Sequence, residues 1–101
     1  MPQKPVTSPV HPGEILLEDY MKPEKISINR LALALQVPVT RVSEIVNEKR
    51  SITADTALRL GRYFSTTPQY WMNLQTAFDI RTAANISRDA IEQLVRPRNA
   101  A

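Results

Sequence analysis

Two short apolar stripes set close together constrain this chain more than any other feature. From Ser27 to Asn47 the sequence runs S-I-N-R-L-A-L-A-L-Q-V-P-V-T-R-V-S-E-I-V-N. Ile28, Leu31, Ala32 and Leu35 recur at i, i+3, i+4 and i+7, which is one face of a helix, and Ser27 offers a side-chain oxygen to its first turn. Val42, Ile45 and Val46 give a second helix, over Val39–Asn47, its own inward side. Gln36–Pro38 leaves room only for a tight turn between the two, and Ala32 is small enough for them to approach closely. Gln36 stands where such turns often carry Gly, so a mildly strained backbone is expected there.

On the second of these helices the side opposite Val42, Ile45 and Val46 presents Thr40, Ser43, Glu44 and Asn47, with Arg41 on its flank. Such side chains suit the reading of base edges: Arg pairs with guanine, Asn with adenine, and Thr touches a thymine methyl or a phosphate. The solvated face of any surface helix has a similar composition. The preceding helix and turn decide between the two readings, because together they form a helix-turn-helix, which lays its second helix in the DNA major groove. Lys49 and Arg50 follow directly and can reach phosphates, although a solvated loop explains them equally well. The net charge of +3 leans only mildly toward a polyanion. Placement is more informative: Arg30, Arg41, Lys49 and Arg50 face only Glu44 and Glu48 over this stretch.

The remaining segments read as further helices. Pro2, Pro5, Pro9 and Pro12 predict an extended arm over residues 1–10, and H-P-G at His11–Gly13 docks before a first helix, Gly13–Lys22. Ile15, Leu16, Tyr20 and Met21 form its apolar side, and Pro23 ends it. Thr53 caps a fourth helix with an expected buried stripe of Ala54, Ala57, Leu58, Gly61 and Phe64. Gly61 costs about 1 kcal/mol of helix propensity against Ala, which points to a close helix crossing. Arg59 and Arg62 are expected in solvent. Thr67 and Pro68 open a fifth helix with Tyr70, Trp71, Leu74, Ala77 and Phe78 inward. Met72 and Leu33 fall off their stripes as candidates for partner contact. Ser87 is expected to cap a short last helix bearing Ile91, Leu94 and Val95. The expected organisation is an arm (1–10), an all-α domain (11–82), and a C-terminal helix and tail (83–101).

Composition excludes several classes. With 101 residues, 43% hydrophobic and 23% charged, the chain reads as one globular domain. It has neither a bilayer-length apolar run nor a signal-peptide core, so a cytoplasmic protein without membrane contact is expected. The absence of cysteine rules out thiolate metal sites and cysteine nucleophiles. His11 is the lone histidine, and there is no phosphate-binding loop, metal-ligand cluster or catalytic triad. No enzyme, cofactor or metal is expected.

Four segments carry a resemblance: H-P-G-E-I-L (His11–Leu16), V-S-E-I-V-N (Val42–Asn47), S-I-T-A-D-T-A-L-R-L (Ser51–Leu60) and P-Q-Y-W-M-N-L-Q (Pro68–Gln75). They resemble the HigA-type antidotes of type II toxin–antitoxin modules, a branch of the Xre or lambda-repressor-like helix-turn-helix superfamily, over about residues 10–82. The resemblance implies a five-helix all-α DNA-binding domain, to which the residue pattern adds a short C-terminal helix. It further implies a homodimer on a palindromic double-stranded operator, repression of its own operon, and neutralisation of a cognate HigB/RelE-like mRNA endonuclease. By position it assigns DNA contact to Thr40, Arg41, Ser43, Glu44 and Asn47, and backbone contact to Ser27 and Asn29. Gln36 and Glu48 depart from it, since many relatives carry Gly at both. The acidic side of the first helix (Glu14, Glu18, Asp19) would suit a basic toxin, but a solvated face explains it as well. A solitary Xre-type repressor without a toxin is the alternative.

Overall fold

The apolar spacing of the sequence becomes five helices in a computed structural model that describes residues 9–99. Apart from Pro9 and Val10, both exposed, the expected arm lies outside the described residues. Helix α1 (Pro12–Ile15) continues without a break into a π-helical stretch, Leu16–Met21. The wider turn places residues five apart on one side, so Leu16 and Met21 are both buried, at 1% exposure each. The remaining helices are α2 (Ile28–Leu35), α3 (Val39–Val46), α4 (Ala54–Phe64) and α5 (Pro68–Leu94).

The caps fall where their residue types predict. Ser27, Thr53 and Thr67 each accept a backbone N–H from three residues on, which satisfies an otherwise orphaned donor of the first turn. His11 does the same for α1, its Nδ1 accepting from the Gly13 N–H at 2.8 Å. An accepting Nδ1 is unprotonated, and burial lowers the His11 pKa from its ordinary value. Neighbouring Glu48 and Asp79 oppose that shift more weakly. The cap is therefore kept in the neutral imidazole and is lost only in acid.

The core gathers Leu16 and Met21, then Leu31, Ala32 and Leu35 of α2, Val42, Ile45 and Val46 of α3, Ile52, Ala57 and Leu60, and Trp71. Trp71 is fully buried, with its Nε1 donating to Thr66 Oγ1 at 2.8 Å. Tyr20, Phe64 and Tyr70 ring it, with centroids 4.9 to 6.4 Å from the indole. Burial, followed by a hydrogen bond with Tyr20, pushes the Tyr70 phenol up to about 12.

Two glycines are required by close approach. A Cβ on Gly13 would overlap the Ile45 carbonyl oxygen, so the start of α1 rests directly on the end of α3. A Cβ on Gly61 would sit 2.8 Å from the Thr66 carbonyl oxygen and 3.2 Å from Pro68 N. The close approach at Gly61 is thus to the returning loop and the first residue of α5. Thr66 N–H also closes the end of α4 on the Gly61 carbonyl at 3.0 Å.

Several expectations are corrected. The buried side of α4 is Thr56, Ala57, Leu60 and Gly61, while Leu58 is 60% exposed and Ala54 is exposed. Ala57, Leu60, Gly61 and Phe64 keep the helical spacing, and Leu58 lies about 100° away from Ala57 on the wheel. Met72 packs against the core, whereas Leu33 stays 74% exposed. Ala77 is exposed, beside a part-buried Leu74 and Phe78. Ser87 caps nothing: α5 is one 27-residue helix, and the short C-terminal helix is its outer end. Between Asp79 and Ser87 there is neither Gly nor Pro to break it.

Candidate nucleic-acid interface

The turn between α2 and α3 sets the angle at which α3 is presented. Gln36 adopts φ 60° and ψ 47°, the left-handed region that Gly enters freely and other residues enter at a cost of about 1–2 kcal/mol. Besides the Gln36 N–H on the Leu33 carbonyl at 3.2 Å, three further donors hold this helix end. Val37 N–H reaches the Ala32 carbonyl at 3.0 Å, and the Gln36 side chain donates to the Leu33 carbonyl at 3.0 Å. Arg59 Nη1, from α4, donates to the Leu35 carbonyl at 2.9 Å and to the Gln36 carbonyl at 3.3 Å. Arg59, expected in solvent, is half-buried and caps α2. Glu48 repeats the pattern after α3, with φ 64° and Lys49 N–H on the Glu44 carbonyl at 2.8 Å. Both positions expected to lack a relative's Gly are left-handed.

With α3 so held, Val42, Ile45 and Val46 face the core and Thr40 and Asn47 are exposed, with Arg41, Ser43 and Glu44 half-buried between them. Ser27, Asn29, Lys49 and Arg50 are exposed at the neighbouring ends of the same unit. All nine sequence-derived residues thus lie at the surface of one helix-turn-helix and the loop that follows it. Several are already engaged. Ser27 Oγ accepts from the Arg30 N–H at 3.1 Å. Asn47 Nδ2 donates to the Ser43 carbonyl at 2.8 Å. Arg50 Nε donates to Glu44 Oε1 at 2.7 Å, so the loop cation and the helix carboxylate neutralise each other. Arg41 Nη1 donates to Asp55 Oδ2 at 2.8 Å. Among the described residues no ion pair holds Lys49 or Arg30.

Asp55 and Arg59 escaped sequence reasoning as members of this surface. Hydrogen bonds from Arg59, then from Arg41, lower the Asp55 carboxyl below the usual range. The available signal was their i, i+4 spacing with the acid first, the favoured order for a helical ion pair. Gln75 was missed as well. It is buried in α5, where Oε1 accepts the Ile52 N–H at 2.7 Å and Nε2 reaches Asp79 at 2.9 Å. That contact fixes the loop after α3, which carries Lys49 and Arg50, to the body. No cluster of metal-ligating side chains occurs among the described residues.

A helix-turn-helix family profile matches residues 17–71, more than half of the chain. The chain belongs to the helix-turn-helix family, in its HigA-type branch. A HigA-family addiction-module antidote from Coxiella burnetii superposes with TM-score 0.85 at 53% identity, over 88% of this chain and 97% of that one. The antitoxin HigA of Pseudomonas aeruginosa, solved with higBA promoter, gives TM-score 0.88 at 45% identity, over 90% and 99%. In sequence, virulence-associated protein I of Dichelobacter nodosus is 57% identical over 74 residues, 73% of this chain and 68% of that protein. The chain is accordingly a DNA-binding helix-turn-helix protein of the antitoxin and transcriptional-regulator class, with the all-α fold expected of it. No helix among the described residues is long and apolar enough to cross a membrane.

Proposed function

We propose that this protein binds a palindromic operator as a homodimer, represses its own operon, and neutralises a cognate HigB/RelE-like mRNA endonuclease in the cytoplasm. The observation that carries the reading is the outward polar side of α3, held at a fixed angle by the Gln36 turn and bordered by cations. The relative solved with promoter DNA supports it. In this reading Thr40, Ser43, Glu44 and Asn47 approach base edges in the major groove, and Arg41 pairs with a guanine. Ser27, Asn29, Lys49 and Arg50 sit against phosphates, which set register. Arg50 exchanges Glu44 for a phosphate on docking, leaving the carboxylate to accept from a cytosine amino group. A second copy meets the outer part of α5, where Ile80, Ala84, Ser87, Ile91 and Leu94 alternate at the four- and three-residue spacing of a helix–helix seam.

Mobility shift of the protein's own promoter fragment across a salt series tests the DNA half. The wild type shifts the fragment in preference to a scrambled duplex. Lys49→Ala weakens binding to both and reduces the salt slope by about one unit. Absence of a shift at low salt overturns the repressor. Co-expression with the adjacent reading frame tests the antidote. That frame is toxic alone and co-purifies with this protein; a harmless frame that does not co-purify removes the antidote role and leaves the repressor.

A further inference from the structure

We propose that Asp55, which lies on α4 outside the helix-turn-helix itself, is a specificity-determining positioning residue that aims Arg41 at the duplex. The inference rests on the operator-binding reading above. Arg41 is the third residue of α3, at the end of that helix that comes nearest to base edges in helix-turn-helix docking. An untethered arginine there sweeps over phosphates as readily as over bases, and phosphate contacts favour every sequence alike. Asp55 removes that freedom. Its Oδ2 accepts from Arg41 Nη1 at 2.8 Å and engages only part of the guanidinium fork. The remaining N–H groups stay available for a guanine O6/N7 pair. The Arg41 side chain is correspondingly only 29% exposed, against 56% for Asp55.

The carboxylate is itself fixed. Arg59 Nε donates to the same Oδ2 at 2.8 Å, while Arg59 Nη1 donates to the carbonyls of Leu35 and Gln36. One continuous line of hydrogen bonds therefore runs from the end of α2, through α4, to the reading end of α3. It ties the aim of Arg41 to the same turn that sets the α3 angle. Electrostatics separates this role from a purely structural one. Two guanidiniums share one carboxylate, so loss of its charge leaves an extra net positive charge beside the duplex. Binding to any DNA then strengthens while the aim of Arg41 is lost.

The test uses the full chain with its own promoter fragment and a scrambled duplex of equal length, each titrated over a salt series. In Asp55→Asn the affinity for scrambled DNA rises, its salt slope steepens by about one unit, and the specific-to-scrambled ratio falls by about tenfold or more. In an Arg41→Ala background the same substitution leaves the ratio unchanged, and Asp55→Glu restores most of it in the wild-type background. Thr53 caps α4 and Asp55 is exposed, so the fold tolerates the change, which a thermal melt checks. Arg59→Gln cuts the same line from the other side with Asp55 still charged; it lowers the ratio without raising scrambled-DNA affinity. An unchanged ratio in Asp55→Asn, or a loss that persists in Arg41→Ala, overturns the assignment. A wild type with no preference for its promoter overturns the operator-binding reading itself, an outcome distinct from preference retained in Asp55→Asn.

Discussion

From Pro68 to Phe78, α5 lies along α4 and the loop before it, with Trp71 and Gln75 buried. From Ile80 onward the same unbroken helix exposes Ile80, Ile86, Ile91 and Leu94 at 52% to 81%. Backbone hydrogen bonding does not distinguish the two parts, because neither contains a helix breaker. Side-chain packing does. The first part is held by the protein's core, and the second presents apolar residues that the described chain does not cover. Helix formation and helix burial are separate events, and a single sequence run can satisfy one without the other.

Substitutions in the two parts of α5 can break or sharpen that comparison. The largest effect is expected at Trp71, the fully buried centre of the aromatic cluster: Trp71→Ala lowers folding stability by about 3–5 kcal/mol, read from a urea or thermal melt. A loss below about 1 kcal/mol would mean that the inner part of α5 is not the lid of the core. Gln75→Ala comes next, because it strands the buried Ile52 N–H, at a cost of about 1–3 kcal/mol. Amide exchange at Ile52 should accelerate in the same variant, and unchanged protection there would contradict the contact. The smallest effect on the protomer is at Ile91: Ile91→Ser stays within about 0.5 kcal/mol. The same change shifts sedimentation from dimer toward monomer if the outer stripe meets a second copy. A variant that sediments like the wild type would place the dimer elsewhere.

The DNA-facing unit was largely legible because its determinants are local. The inward stripes of α2 and α3 follow from 3.6-residue periodicity. Ser27, Thr53 and Thr67 cap because their side-chain oxygens lie within reach of their own next turn. Even the strain at Gln36 is visible, as a missing Gly in a turn too short to avoid the left-handed region. On α4 the same reasoning chose Leu58 over Leu60, which lies about 160° away on the helical wheel. Both are leucines, and only the position of α5 and the core decides which one faces inward. Ser87 has the chemistry of a cap, but with no breaker before it the helix simply runs through.

The ion pairs and caps that join different elements were illegible for a different reason. Arg41 and Asp55 belong to different helices, as do Arg59 and the carbonyls of Leu35 and Gln36, and no periodicity connects them. Nor does composition report that Arg50 is neutralised by Glu44 or that Gln75 pins the following loop. By itself, then, the sequence determined the first four helices and the start of the fifth, which turn joins α2 to α3, and which polar set α3 turns away from the core. Tertiary structure alone decided which of those charges are free, which are tethered, and that the outer half of α5 stands uncovered. Local propensity acts between residues a turn apart, whereas a salt bridge or a buried face depends on where distant segments arrive.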